Sequence, residues 1–255
     1  MVAIGPILRL MPNSLKQRIL CGLMPMPFPA RHREYSAIAS LDDDPAGPTA
    51  RLIDLSLRSI IIASETNLED VSKRMKKPPF YPDVWPGEHY KLLAGFVNVL
   101  KPKNVIEIGT GSGLSGLAML TTLAHDAKIT TFDIAPWQEI PDTCLVMEDF
   151  DDGRLEQVIA NLAEPSHFES HRDVIESADL IFLDGPKNVA FENTFLQRIE
   201  KVGFKSSLLM IIDDIRVWNM LRIWRDITRP KLDLTSFGHW SGTGIVDWKR
   251  TDSVH

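Results

Sequence analysis

The sequence predicts a doubly wound α/β domain, and three observations support that prediction. From Asn104 onward, short apolar runs of strand length alternate with segments of helical periodicity. Those runs are apolar throughout, as strands become when helices cover both faces of a parallel sheet. The first run, Val105-Ile106-Glu107-Ile108, leads directly into Gly109-Thr110-Gly111-Ser112-Gly113 and then a helical pattern. Glycines in that position let the backbone turn sharply and bring its N–H groups close to a ligand.

The elements follow in order. Residues 1–50 are Pro-rich and irregular, ending in the turn-like Asp42-Asp43-Asp44-Pro45-Ala46-Gly47-Pro48. A short amphipathic helix fits Ser14–Leu23, packed on the main domain rather than on a membrane. Gly5–Met26 is apolar-rich, but Arg9, Lys16, Arg18, Pro6, Pro12 and Pro25 interrupt it, which argues against a signal peptide or a spanning helix. Arg51–Thr66 reads as a helix through Leu52, Leu55, Ile60 and Ile61. The basic run Lys73–Lys77 reads as a solvated helix end. Pro78-Pro79-Phe80-Tyr81-Pro82 reads as an extended linker. Gly87–Leu100 is helical, with Tyr90, Leu93, Phe96, Val97 and Leu100 on one face. The chain thus divides into a helical N-terminal extension, residues 1–80, and a main domain, residues 81–255.

In the main domain the expected strands are Asn104–Ile108, Lys128–Phe132, Leu155–Ala160, Leu180–Leu183 and Leu208–Ile212. The expected helices are Ser115–Ala124, Phe168–Ser177, Ala190–Lys201 and Trp218–Ile227, the last turning Trp218 and Trp224 inward. Leu232–Trp248 carries two β-rich pieces around Gly238–Gly244 and suggests an antiparallel hairpin closing a mostly parallel sheet.

Composition narrows the function. The 255 residues are 44% hydrophobic and 24% charged, enough for a proper core. A net charge of -6 and a pI near 5.7 argue against nucleic acid as the main partner, because phosphate binding needs a basic face. Cys21 and Cys144 show neither metal spacing nor a disulfide framework, so a reducing cytoplasm is expected.

Ligands of open α/β sheets bind beyond the carboxyl ends of the strands. After the first strand come Glu107 and the glycines. After the second comes Asp133, at the spacing where an acid can accept hydrogen bonds from both hydroxyls of a ribose. Asn161 follows the third strand as an adenine neighbour. Asp184-Gly185-Pro186-Lys187 follows the fourth, and Asp213-Asp214 the fifth. Each acid alone could be a helix cap or a turn residue. Their shared placement argues for a site.

The glycine loop alone is ambiguous, because Gly111-Ser112-Gly113-Leu114-Ser115-Gly116 also fits a dinucleotide fingerprint. Glu107 discriminates. A carboxylate beside the cradle would repel a pyrophosphate, whereas the amino group and ribose hydroxyls of S-adenosylmethionine tolerate it. A dehydrogenase also leaves the acids after strands four and five unexplained.

Taken together, Glu107–Ser115, Asp133, Asp184 with Lys187, and Asp213-Asp214 resemble class I, Rossmann-like S-adenosylmethionine-dependent methyltransferases, in particular the metal-dependent O-methyltransferases. The resemblance runs from about Trp85 to Trp248. It implies cofactor contacts from Glu107, Gly109, Gly111, Gly113, Ser115, Asp133 and Asn161. Catechol-type enzymes carry Asp-x-x-Lys after strand four, where the Asp ligates Mg²⁺ and the Lys helps deprotonate the acceptor. Asp184 and Lys187 match that motif. Those enzymes carry Asp-Asn after strand five. The Asp213-Asp214 pair here is instead similar to the macrolide-type and aminocoumarin-type sugar O-methyltransferases, which also use Mg²⁺.

The implied chemistry is a single in-line displacement in which a positioned acceptor oxygen loses its proton. A hard cation held by Asp184, Asp213 and Asp214 would bind that oxygen and lower its pKa, and it would also explain three converging carboxylates. Lys187 or His239 would otherwise act as the base alone. His239 and Trp240, in the glycine-flanked loop Phe237–Gly244, are either a hairpin turn or a wall of the acceptor pocket. Trp85-Pro86-Gly87-Glu88-His89-Tyr90 falls near the donor or over the acceptor. The expected partner is a small-molecule acceptor, with no nucleic acid and no membrane insertion, and the resemblance implies a homodimer through the N-terminal helices. The competing readings are a metal-independent N- or O-methyltransferase, an NAD(P)-dependent dehydrogenase, and a non-enzymatic protein that keeps the pocket for assembly.

Overall fold

The computed structural model describes residues 46–217 and 219–249. The expectations for residues 1–45, including the Ser14–Leu23 helix, and for Trp218 lie outside the described residues. None of the described helices is long and apolar enough to cross a membrane.

Two helices lead in, α1 (Ala50–Glu65) and α2 (Glu69–Ser72). Thr49 caps α1, its side chain accepting from the Leu52 amide at 3.2 Å. The inward stripe of α1 is Leu52, Leu55, Ser56, Ser59 and Ala63, its two buried hydroxyls bonded back to Leu52 O and Leu55 O. Ile61, expected on that stripe, is 58% exposed and lies with Ile53 and Leu57 on the outer face. The small residues Ser59 and Ala63 take the inner positions so that α3 (Tyr90–Leu100) can approach closely. A Cβ added at Gly95 of α3 would stand 2.3 Å from Ser59 O.

The sheet strands are β1 (Asn104–Ile108), β2 (Lys128–Asp133), β3 (Leu155–Ile159), β4 (Leu180–Leu183), β5 (Leu208–Asp213), β6 (Lys231–Asp233) and β7 (Thr243–Lys249). They lie in the order β3-β2-β1-β4-β5-β7-β6, with β7 antiparallel to both neighbours and the other pairs parallel. The expected doubly wound sheet with a closing antiparallel hairpin is what the chain forms. β2 and β5 each run one residue further than expected, so Asp133 and Asp213 are last strand residues.

The remaining helices are α4 (Leu114–Leu120), α5 (Pro165–Ser170), α6 (Arg172–Glu176), α7 (Ala190–Ile199) and α8 (Met220–Asp226). The single helix expected over Phe168–Ser177 is two short ones. Pro165 starts the first at its N-terminal turn, and His171 leaves helical geometry between them. α4 stops at Leu120 rather than running to Ala124, with the Thr121 hydroxyl folded back on Ala118 O.

Alternate side chains of the buried strands feed two cores. Val105, Leu180, Phe182, Leu209, Ile211 and Ile245 pack with α1, α3 and α4 on one face. Ile106, Ile108, Ile181, Leu183, Met210 and Ile212 pack with α5 to α8 on the other. The basic run is more than a solvated end. Arg74 bonds Asp149 at 2.6 Å and Lys77 bonds Asp142 at 3.3 Å, tying the run to the segment after β2.

Candidate active site

The strand order reverses between β1 and β4, which is where a crevice opens above a doubly wound sheet. A cavity of about 710 Å³ lies there. Gly109, Gly111, Ser115, Asp133 and Asn161 are on its wall, together with Asp184 and Tyr90.

The turn after β1 is built for backbone proximity. Gly109 has φ +98°, and a Cβ on it would stand 2.2 Å from the carbonyl oxygen of Asp184. Its N–H donates to Phe132 O at 2.8 Å, and the Asp184 N–H donates to Ile108 O at 2.9 Å. The loop is thus clamped between β2 and β4. Gly111, also at positive φ, has open space where a side chain would be.

Two expected cofactor residues lie off the cavity wall. Gly113 (φ +84°) faces inward, where a Cβ would meet the Leu145 side chain at 2.3 Å. Glu107 lies beneath the loop, fully buried, accepting from the Ser115 hydroxyl through Oε1 while Oε2 has no hydrogen-bond partner. Burial pushes the Glu107 carboxyl up to about 7, although the Ser115 hydrogen bond opposes this. Asp133 is already engaged: Oδ2 accepts from the Thr110 and Gly111 amides, and Oδ1 from the Ile134 and Ala135 amides. It therefore fixes the glycine loop as well as facing the cavity. Asn161 caps its own turn, accepting from the Ala163 amide at 3.0 Å.

A second constellation adjoins the cavity at Asp184. Carboxylate oxygens of Asp184, Asp213 and Asp214 lie within 4.8 Å of one another. Lys187 Nζ donates to Asp184 Oδ1 and stands 3.0 Å from Asp214 Oδ2. Burial and the neighbouring Asp213 raise the Asp184 carboxyl. Burial also pushes at Asp213 and Asp214, but His89 and His239 overcome it for the first, and His239 and Ser241 for the second, so both are lowered. Burial opposes charge on Lys187 too, yet Asp184 and Asp214 raise it.

His239 joins this group. Its Nδ1 lies 2.7 Å from Ser241 Oγ, 3.5 Å from Asp214 Oδ1 and 3.7 Å from Asp213 Oδ2. Burial works against its charge, but Asp213 and Asp214 outweigh burial and push it up to about 10. Lys187 and His239, the two residues expected as a base, both lie at ion-pair distance from the carboxylates in this arrangement. The loop holding His239 is a nine-residue connection rather than a tight hairpin turn. It is closed by His239 N–H to Thr243 Oγ1 at 2.9 Å and Gly242 N–H to His239 O at 2.9 Å. Trp240 is 78% exposed beside it, and Trp85 stacks with Phe237 nearby.

Two site residues had no sequence signal. Glu192 of α7, fully buried, accepts from the Lys187 amide and the Val189 amide, each at 2.8 Å. It holds a turn in which Lys187 and Val189 both have positive φ. Its place one turn into a helix looked ordinary. His89, 4% exposed at the start of α3, points Nδ1 at Asp213 Oδ1, 3.5 Å away. The segment around it was noticed in the sequence, but the histidine was not singled out.

The chain belongs to the O-methyltransferase family, whose family model matches residues 62–231. A Mycobacterium sp. (strain JLS) protein whose name places it provisionally among the O-methyltransferases is 31% identical over 102 residues, 37% of this chain and 41% of that protein. The match thus spans less than half of the curated relative's length. In fold, the chain is similar to the O-methyltransferase TomG from Streptomyces achromogenes, involved in tomaymycin synthesis and solved with SAM. The TM-score is 0.51 at 15% identity, covering 76% of this chain and 95% of that one. It is likewise similar to cofactor-bound Rv0187 from MTB, with TM-score 0.51 at 16% identity, covering 80% of this chain and 99% of that one.

Proposed function

We propose that the chain transfers a methyl group from S-adenosylmethionine to a hydroxyl of a small molecule, with a divalent cation, Mg²⁺ in the simplest case, at the acid cluster. The observation behind this reading is the junction at Asp184, which lines the cavity and also belongs to the cluster. A donor in the cavity and an acceptor over the cluster would meet there.

S-adenosylmethionine supplies a methyl group already activated on a sulfonium. The fit to this chain rests on Glu107 Oε2, a buried acceptor with no partner directly beneath the glycine loop. Gly109, Gly111 and Ser115 would form the cradle with Glu107 and Gly113 supporting it from beneath, Asp133 would accept from the ribose hydroxyls, and Asn161 would flank the adenine. A divalent cation would be held by Asp184, Asp213 and Asp214 and would supply Lewis acidity to the acceptor oxygen. The Lys187 ammonium, bridging Asp184 and Asp214, marks that place as one of strong cation attraction. Lys187 and His239 would stabilise negative charge growing on the acceptor oxygen. Asp184 would hold the cation and is paired with Lys187, so the hydroxyl proton, made more acidic by the cation, would leave to solvent.

Trp85, Phe237 and Trp240 form an aromatic rim beside His239, which favours an acceptor with an apolar or aromatic body. Helices α1 and α2 serve in this reading as a cap, and a homodimer would use the exposed Ile53, Leu57 and Ile61 stripe of α1. The buried free thiol of Cys144 fits a cytoplasmic setting.

Metal-independent methyl transfer to oxygen or nitrogen has its own support, because Lys187 already neutralises part of the acid cluster. Methyl transfer from labelled S-adenosylmethionine to a panel of phenols and sugars, before and after exhaustive chelation, separates the two. Activity lost on chelation and restored by Mg²⁺ supports the cation, and activity unchanged by chelation removes it.

A further inference from the structure

Two histidines flank the acid cluster at Asp213. One ligand atom each from His89, Asp213 and His239 lie within 4.8 Å of one another. His89 is the unusual member. It is 4% exposed, packed against Tyr90 and Phe182, and neither ring nitrogen makes a hydrogen bond. Its Nδ1 lies 3.5 Å from Asp213 Oδ1 without hydrogen-bond geometry. A buried imidazole with two unmet polar atoms is costly unless something completes it. Around this trio stand Glu88, with Oε2 3.8 Å from His239 Nε2, and Asp214 and Ser241, which touch the other edge of His239.

We propose that His89, His239 and Asp213 form a binding site for a divalent cation of the imidazole-seeking class, Zn²⁺ or Co²⁺, distinct from the all-carboxylate site of Asp184, Asp213 and Asp214. Two imidazoles and one carboxylate suit such an ion, whereas Mg²⁺ selects oxygen ligands alone. Tetrahedral coordination at about 2.1 Å sets ligand atoms about 3.4 Å apart, so the trio closes on an ion by side-chain shifts of about an ångström. Glu88, beside Nε2, is placed to orient His239 when Nδ1 binds the ion, and the Ser241 hydroxyl would give up its contact with Nδ1. The site shares Asp213 and His239 with the methyl-transfer reading, and His239 would release its proton to bind the ion, but cofactor binding in the cavity can hold or fail independently of it.

The test uses the full chain, stripped with a chelator and then titrated calorimetrically with Zn²⁺ and, separately, with Mg²⁺. The visible spectrum of the Co²⁺ form reports imidazole ligation. The expected result is one Zn²⁺ per chain. His89→Gln or His239→Gln should weaken it by about tenfold or more and change the Co²⁺ spectrum, while Asp184→Asn should leave Zn²⁺ affinity within about threefold. Where the buried His89→Gln chain does not fold, the more accessible His239→Gln decides. Zn²⁺ affinity unchanged by His239→Gln, or lost on Asp184→Asn instead, would overturn the proposal by placing the ion among the carboxylates. No Zn²⁺ binding to the folded wild-type chain would overturn it outright. S-adenosylmethionine titration on the same samples tests the methyl-transfer reading separately.

Discussion

Gly109 and Asp184 touch through their backbones: a Cβ on Gly109 would stand 2.2 Å from the Asp184 carbonyl oxygen. This contact joins the first residue of the glycine turn to the first residue of the acid cluster. It fixes the distance between the cavity above the glycine turn and the acid cluster. No side chain fits between them, and φ +98° disfavours one in any case.

Gly109→Ala is therefore expected to cost about 3 kcal/mol or more, by backbone strain and overpacking together. Thermal or denaturant unfolding measures it. Affinity for S-adenosylmethionine should fall at the same time, because the loop and Asp184 can no longer both hold their positions.

Glu107 gives a pH signature. Burial raises its carboxyl to about 7 from the ordinary 4.5, so the folded chain holds this proton more tightly than the unfolded one. The contribution is fully present below about pH 4.5 and is lost as pH rises toward 7, a loss of roughly 3 kcal/mol at most. Glu107→Gln should remove that loss. The variant should gain stability relative to wild type between pH 5 and pH 8, and it should bind S-adenosylmethionine more weakly. A stability difference that does not vary with pH would count against the buried, protonatable Glu107.

Lys187→Ala should destabilise by about 3 kcal/mol, because it leaves Asp184 and Asp214 without their cation. Removing the ammonium also vacates the space between the carboxylates. Mg²⁺ should then raise the melting temperature of the variant more than that of wild type. Turnover should drop by about a hundredfold, through lost charge stabilisation.

Glu192→Ala should cost about 2–4 kcal/mol by orphaning the buried amides of Lys187 and Val189. Its effect on turnover should resemble that of Lys187→Ala, since the same turn loses its shape. A Glu192→Ala chain with wild-type activity would show that the turn keeps its conformation without that carboxylate.

The sheet was legible because its strands are apolar throughout and punctuated by helices, so β1 and β4 keep their expected ends. The acids at the strand ends were legible for the same reason, since a doubly wound sheet delivers them all to one edge. Details that depend on three-dimensional packing were not. Ile61 fits an apolar period but faces outward, because Ser59 and Ala63 are the residues small enough to meet Gly95. His171 breaks a helix that the pattern ran through. The ion pairs of Lys187 and His239 were not legible, because partners as far apart in the chain as Lys187 and Asp214 meet only through the fold. His89 and Glu192 are polar residues in helical segments, and nothing in a linear sequence marks either as buried against the site.

The central claim is that the cavity above Gly109 binds S-adenosylmethionine, and calorimetric titration of the full chain with that cofactor and its demethylated product tests it most directly. One site per chain is expected, weakened by Asp133→Ala at least tenfold and little changed by Asp213→Ala. An absence of binding, with clear binding of NAD instead, would contradict the account.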